Sequence, residues 1–351
     1  MEGKVKYIFG LIKNKNKTDG PVQLPESVEA IPVGGISALV TDSPRLDPPS
    51  MRKEAVAGYL IRHQQVLEKV MESHSVIPAR LGACAGSRAE VAGALKFGYR
   101  DFIKAFAVME GKVEIDIAAS WPDMAPVVAE TAEADAAVRE FKERLASKPG
   151  GATTEDRIKA GRMISRALEE KNRKTASEIM SFLAPATFSL RTHGLMNDSM
   201  ILNAALLVRN NQREKFFEMV NRLDEAYHGR INFRCVGPLP VYSFCTAEIK
   251  KIERAEIDRA MGLLGLPENK KFTASGAEIK RAYRQRARLC HPDLAGFSRP
   301  AAAVASRAEE KESCAIKFDK ITGAYRLLME CSSAHACRGD DGSVLIATVW
   351  R

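Results

Sequence analysis

The 351-residue sequence predicts an α+β protein, with two α+β domains followed by a small all-α module and a short tail. Three observations carry that prediction. Period-two alternation and helical periodicity interleave as far as residue 249. Helical periodicity alone continues from residue 250 to 332. Polar stretches containing Gly and Pro punctuate both regions. The length suits two or three domains of roughly 100–200 residues each. Apolar residues make up 45% and charged residues 28%, the mix of a folded globular chain, so wholesale disorder is not expected.

The first domain covers 1–121. Lys4–Ile12 reads as a strand, with Val5, Tyr7, Phe9 and Leu11 alternating against their neighbours. Lys13–Ser27 is a polar loop, and Val28–Ile31 and Ile36–Val40 are short strands about a Gly34-Gly35 turn. That glycine pair lacks the spacing of a nucleotide-binding loop. Three prolines break the pattern between Ser43 and Ser50. Arg52–Glu72 is then a helix through Val56, Tyr59, Leu60, His63, Val66 and Val70, with His63 read as a packing histidine. A second helix, Arg88–Met109, runs through Val91, Ala94, Phe97, Phe102 and Phe106, and Val113, Ile115 and Ile117 close the domain as a strand. Helices on one face of a small sheet are expected.

The second domain covers 122–249. Helices are expected over Ala129–Leu145 and Thr154–Leu183, parted by Lys148-Pro-Gly-Gly, with acidic residues in the first turn of the longer one. Ser199–Val208 is an apolar strand, Gln212–Ala226 a helix and Arg230–Val236 another strand. Gly237, Pro238 and Pro240 read as a rigid exit from that strand, with Tyr242 and Phe244 packing back. The third module, 250–332, holds helices over Ala255–Leu264, Ala277–Cys290 and Ala308–Glu330. In the tail, 333–351, the apolar Val344-Leu-Ile leaves open whether a further strand is added.

Composition excludes several classes of function. No apolar run approaches the roughly 18–20 residues of a membrane span. The apolar stretch Tyr7–Ile12 is too short for a signal peptide, so a cytoplasmic location is expected. Seven cysteines without a Cys-x-x-Cys fit reduced structural thiols. Cys331, His335 and Cys337 lack a fourth ligand, so no metal site is expected. No Ser/His/Asp, Cys/His or paired-carboxylate constellation emerges, so the chain reads as a non-enzyme with no cofactor and no small-molecule substrate.

Charge is unevenly placed. The net charge is +9, and residues 249–351 hold 19 Lys and Arg against 13 Asp and Glu, so an acidic partner is sought there first. Along Ala277–Cys290, Ile279, Ala282, Tyr283, Ala287 and Cys290 mark one helix face while Lys280, Arg284 and Arg288 form a separate basic stripe. Five cations between Lys280 and Arg288 stand with no acid among them. Like charges one turn apart cost a helix a few tenths of a kcal/mol each, which points to an acidic surface that meets the stripe, the alternative being a solvated face. Duplex nucleic acid is a secondary reading, and it predicts a steep salt dependence.

His291-Pro292-Asp293 ends that helix. Met261-Gly-Leu-Leu-Gly-Leu, the basic helix with this tripeptide, and Phe318-Asp-Lys-Ile-Thr-Gly-Ala-Tyr-Arg-Leu-Leu together resemble the J-domain of DnaJ-type co-chaperones. The resemblance implies an antiparallel hairpin that docks on a DnaK-type chaperone and stimulates its ATPase. His291, Pro292 and Asp293 would be the trigger, and Lys280, Arg284 and Arg288 docking charges. Ile279, Tyr283, Phe318, Ile321, Tyr325 and Leu328 would form the hairpin core.

A second resemblance spans residues 1–248. Lys6-Tyr-Ile-Phe-Gly-Leu-Ile opens it, and His63-Gln-Gln-Val-Leu-Glu-Lys-Val leads on into Val76-Ile-Pro-Ala-Arg-Leu-Gly. Ile201-Leu-Asn-Ala-Ala-Leu-Leu-Val, and then Arg234 through Phe244 with its Gly-Pro-x-Pro-x-Tyr-Ser-Phe, complete it. In order and spacing these blocks are similar to the GvpF/GvpL family of gas vesicle proteins. The resemblance implies two α+β domains, the first ferredoxin-like, and binding to the hydrophobic shell protein of the GvpA type. The function expected is gas vesicle assembly in the cytoplasm, with a DnaK-type chaperone recruited by the J-like module. The alternatives are a minor structural component of the vesicle that uses the hairpin only as a dock, and a general co-chaperone.

Overall fold

The computed structural model describes residues 4–14, 24–46, 51–267, 272–290, 304–333, 336–338 and 343–350. The alternating N-terminal segment forms β1 (Val5–Lys13), followed by the hairpin β2 (Glu29–Val33) and β3 (Ile36–Ser43). Helix α1 (Lys53–Met71), two short strands β4 (Val76–Pro78) and β5 (Cys84–Ala85), and helix α2 (Arg88–Met109) come next. The sheet order is β2–β3–β1–β4, with β5 also pairing β1. Alternation in β1 predicts one solvent face, but Tyr7 through Ile12 are all buried, so both faces of the strand are covered. His63 lies in the core as expected, its Nδ1 2.6 Å from the Tyr7 hydroxyl, and burial pushes its pKa down to about 4. Only the last turns of α1, at His63, Val66, Leu67 and Val70, are buried.

The strand expected to close the first domain lies elsewhere. β6 (Lys112–Ser120) pairs antiparallel with β8 (Met200–Arg209) and β9 (Asn232–Leu239), and β7 (Ser189–Thr192) pairs with β8. The compact units are Met109–Phe244 on one side and Met1–Val108 with Cys245–Arg351 on the other, so they do not coincide with the segments 1–121, 122–249 and 250–332. The long antiparallel registers of β6 with β8 and β9 place it in the inserted unit despite its sequence adjacency to α2.

In the inserted unit the order is β7–β8–β6–β9. With α3 (Met124–Ala134), α4 (Ala136–Ala146) and α5 (Thr154–Leu183) between β6 and β7, and α6 (Arg213–Tyr227) between β8 and β9, the succession is β-α-β-β-α-β. That is the order of ferredoxin-like sheets. It was expected of the first domain, where β1 instead runs straight into a hairpin. The single helix expected over Ala129–Leu145 is broken at Asp135, whose carboxylate accepts the N–H groups of Ala137 and Val138 as the N-cap of α4. Helix α5 starts on a capping box of Thr153 and Asp156. The core of this unit packs Ile115, Ile117, Trp121, Ile179, Leu183, Leu206 and Phe216.

The chain then returns to the first unit through β10 (Thr246–Ile252). Helices α7 (Arg254–Leu264), α8 (Gly276–Cys290) and α9 (Val304–Cys331) follow, with β11 (Ala336–Arg338) and β12 (Val344–Trp350) after them. The tail does add a strand: β12 pairs with β10 along its whole length, in the order β10–β12–β11.

Candidate functional site: a basic helical hairpin

Helix α8 is built to carry like charges. Its start is closed by reciprocal bonds in which the Ser275 N–H donates to Glu278 Oε2 (2.8 Å) and the Glu278 N–H to Ser275 Oγ (3.3 Å). The Ser275 N–H, with the Ser275 hydroxyl that also donates to Oε2, holds the Glu278 carboxyl below its usual range. Its apolar face buries Ile279 and Ala282 against α9 residues Ile321, Ala324, Leu328 and Cys331 and α7 residues Ile257, Met261 and Leu264. Tyr283 stacks on Tyr325 with ring centroids 4.4 Å apart. Of the six expected core residues, Ile279, Ile321 and Leu328 are buried, Tyr283 and Tyr325 pack partly buried on the cluster, and Phe318 stands half-exposed outside it.

The opposite face is a groove whose described lining is Ala277, Lys280, Arg281, Arg284, Gln285 and Arg288, with no carboxylate among these described residues. The structure thus brings Lys280, Arg284 and Arg288 together and adds Arg281, which sequence spacing did not single out. Arg286, the remaining cation of the five, lies apart from the groove. Helix α7 ends on Gly265 at φ 71°, and a Cβ there would stand 2.6 Å from the Arg286 guanidinium, which lies over the helix C-terminus. A cation at that end is favoured by the helix dipole. His291, Pro292 and Asp293 lie outside the described residues. So does His335; of its expected companions Cys331 is buried and Cys337 exposed, and the described residues hold no cluster fit for a metal.

The Gly237–Phe244 segment is organised by a residue that the sequence reading missed. Gly237 has φ 151°, and a Cβ there would meet the Glu114 carbonyl oxygen at 2.9 Å. After Pro238 and Pro240, the Tyr242 N–H donates to Pro240 O (2.7 Å) and the Phe244 N–H to Val241 O (3.0 Å). Phe244 is buried and Tyr242 half-buried. Ser243 donates both its N–H and its hydroxyl to the Glu114 carboxylate at 2.8 Å. Glu114 is only 2% exposed, and burial pushes its pKa up to about 7 against the pull of Ser243. In Val-Glu-Ile-Asp-Ile the acids alternate with isoleucines, a pattern that reads as a solvent face and hides this carboxyl.

The fold and the hairpin define a mixed α+β protein with a built-in J-domain. The chain belongs to the family of gas vesicle synthesis proteins GvpL/GvpF, whose family model matches residues 5–246. The DnaJ domain model matches residues 262–334. Gas vesicle protein F of Microcystis aeruginosa (strain PCC 7806) is 25% identical over 189 residues, covering 53% of this chain and 76% of that protein. The crystal structure of GvpF from Anabaena sp. PCC7120 superposes with a TM-score of 0.58 at 18% identity. The crystal structure of GvpF from Microcystis aeruginosa does so with a TM-score of 0.53 at 22% identity. Each covers 69% of this chain and 98% of the other, and these two likenesses speak for the fold alone. Among the described residues no helix is long and apolar enough to cross a membrane.

Proposed function

We propose that this protein is a non-enzymatic gas vesicle assembly factor that acts in the cytoplasm at the growing vesicle. The region of residues 5–246 binds the hydrophobic shell protein, and the J-domain recruits a DnaK-type chaperone to it. The observation that carries the reading is the union, in one chain, of the gas vesicle family region with a J-domain whose α8 presents a groove lined by Lys280, Arg281, Arg284 and Arg288. A hydrophobic subunit aggregates unless its apolar surface is shielded before it polymerises. Helix α1 supports the first half. Its run Ala55–Ile61 carries no charge, and Leu60 and Ile61 stand 50% and 59% exposed. The second half rests on charge, since rim cations speed encounter with an acidic surface.

The test is the steady-state ATPase of a DnaK-type chaperone from the same cell, with the wild type and with His291→Gln, beside a pull-down of shell protein. Stimulation lost in the variant, with shell protein retained by both, is the expected result. Loss of shell-protein binding sinks the first half. Binding without stimulation by either protein makes the hairpin a dock and the chain a structural component of the vesicle.

A further inference from the structure

A J-domain on a flexible linker swings freely. This one is mounted differently. A single residue, Glu253, separates β10 from α7, and four residues separate α9 from β11. Strands β10 and β12 pair from Thr246↔Trp350 to Ile252↔Val344. At the Ile252 end the sheet runs into the helical core, where Ile252, Val344 and Ile346 pack in one cluster with Ile257, Ile279 and Leu328. The Lys250 ammonium pairs with Glu330 of α9. On the other side the same strands are held to the N-terminal sheet and α2. The Arg80 N–H donates to Ala247 O at 2.9 Å, and Lys251 pairs with Glu90 at 3.4 Å. The Ala347 carbonyl lies against Gly98, 3.0 Å from where a Cβ would stand. Glu248, 4% exposed, is the hub: it meets Arg80 at 3.3 Å and Lys250 at 3.5 Å, and accepts from Trp350 Nε1.

We propose that β12 is a strap that makes the J-domain a rigid limb of the first unit, so that the basic face of α8 is held at one fixed orientation to the N-terminal sheet. Two joints produce this. β12 completes the sheet on which α7 and α9 rest, and β10 carries that sheet to the residues around Arg80 and α2. The fixed limb stands on its own geometry. Its consequence, a DnaK-type chaperone presented in one pose, rests on the function proposed above.

Backbone amide relaxation and hydrogen exchange test it, in the full chain and in a chain ending at Ser343. In the full chain, α7–α9 amides should share one rotational correlation time with β1–β5. Without β12 they should tumble faster than β1–β5, or lose exchange protection at least tenfold. Full-length Ile346→Ala, which keeps the strand, should lower protection in β10 and α9 more than in β6–β9. Independent tumbling of the hairpin in the full chain would overturn the proposal, as would unchanged motion and protection in both variants. An intact limb that fails to stimulate the ATPase would sink the chaperone reading and leave the strap standing.

Discussion

Glu114→Gln isolates the energetic effect of a single buried carboxyl. Glu114 sits on β6 with Ser243 donating to it, Asp116 beside it on the same face and His193 Nε2 3.4 Å from Ser243 Oγ. Burial raises it from an ordinary value of 4.5 to about 7, and Asp116, itself raised by burial, adds to the effect. The folded state therefore holds this proton more tightly than the unfolded chain does. Its contribution to stability falls as pH rises from about 4.5 through about 7, and is fully lost above that. Taken from 4.5 to about 7, the deficit at pH 8 is about 3 kcal/mol relative to a neutral isostere. Gln keeps the shape and an acceptor for Ser243 but cannot ionise. Urea unfolding followed by Trp121, buried in this unit, should show the variant gaining about 2–3 kcal/mol on the wild type between pH 5 and pH 8. His63 titrates with the opposite sign, its stabilising effect lost as pH falls from 6.5 toward about 4, but it is common to both proteins and cancels in the difference. A gap that stays constant across that pH range would refute burial as the cause.

Leu328→Ala, at a fully buried site between α7, α8 and α9, should cost about 2–5 kcal/mol, seen as lost exchange protection in α7–α9 before β6–β9. Tyr7→Phe removes the hydroxyl 2.6 Å from His63 Nδ1 and should destabilise the first unit by about 1–3 kcal/mol in thermal or urea unfolding. Lys280→Glu with Arg284→Glu, both exposed on the groove, should leave circular dichroism unchanged and cut ATPase stimulation about tenfold, or about 1.4 kcal/mol, with an effect that shrinks at high salt.

What could be read from the sequence was local. Helix α8 was legible because its two faces follow helical spacing within fifteen residues, and Gly276–Cys290 differs from the expected range by one residue. Helices α1, α2 and α5 were legible for the same reason. β10 was not. Its Glu248 and Lys250 look like surface residues, and beyond their mutual contact it is distant partners, Arg80, Glu330 and Trp350, that satisfy them. β6 was recognised as a strand but placed in the wrong sheet, because strand pairing is a long-range choice that alternation does not encode. In the basic groove the stripe was visible, while the placement of Arg286 over Gly265 depended on how α7 and α8 meet.

The chain is nested twice, since residues 109–244 form a unit inside another and α7–α9 sit between two paired strands. Synthesis from the N-terminus then imposes a schedule. The inserted unit is contiguous and can collapse as soon as it emerges, whereas the bond from Arg80 to Ala247 must wait for more than a hundred and fifty residues to be made. Closing so long a loop in a disordered chain carries an entropic cost that grows with the logarithm of loop length. An inserted unit that is already folded brings residues 109 and 244 to fixed positions and removes most of that length. The outer unit is therefore expected to be the slow-folding partner, with β1–β5 awaiting strand β10 until late in biogenesis.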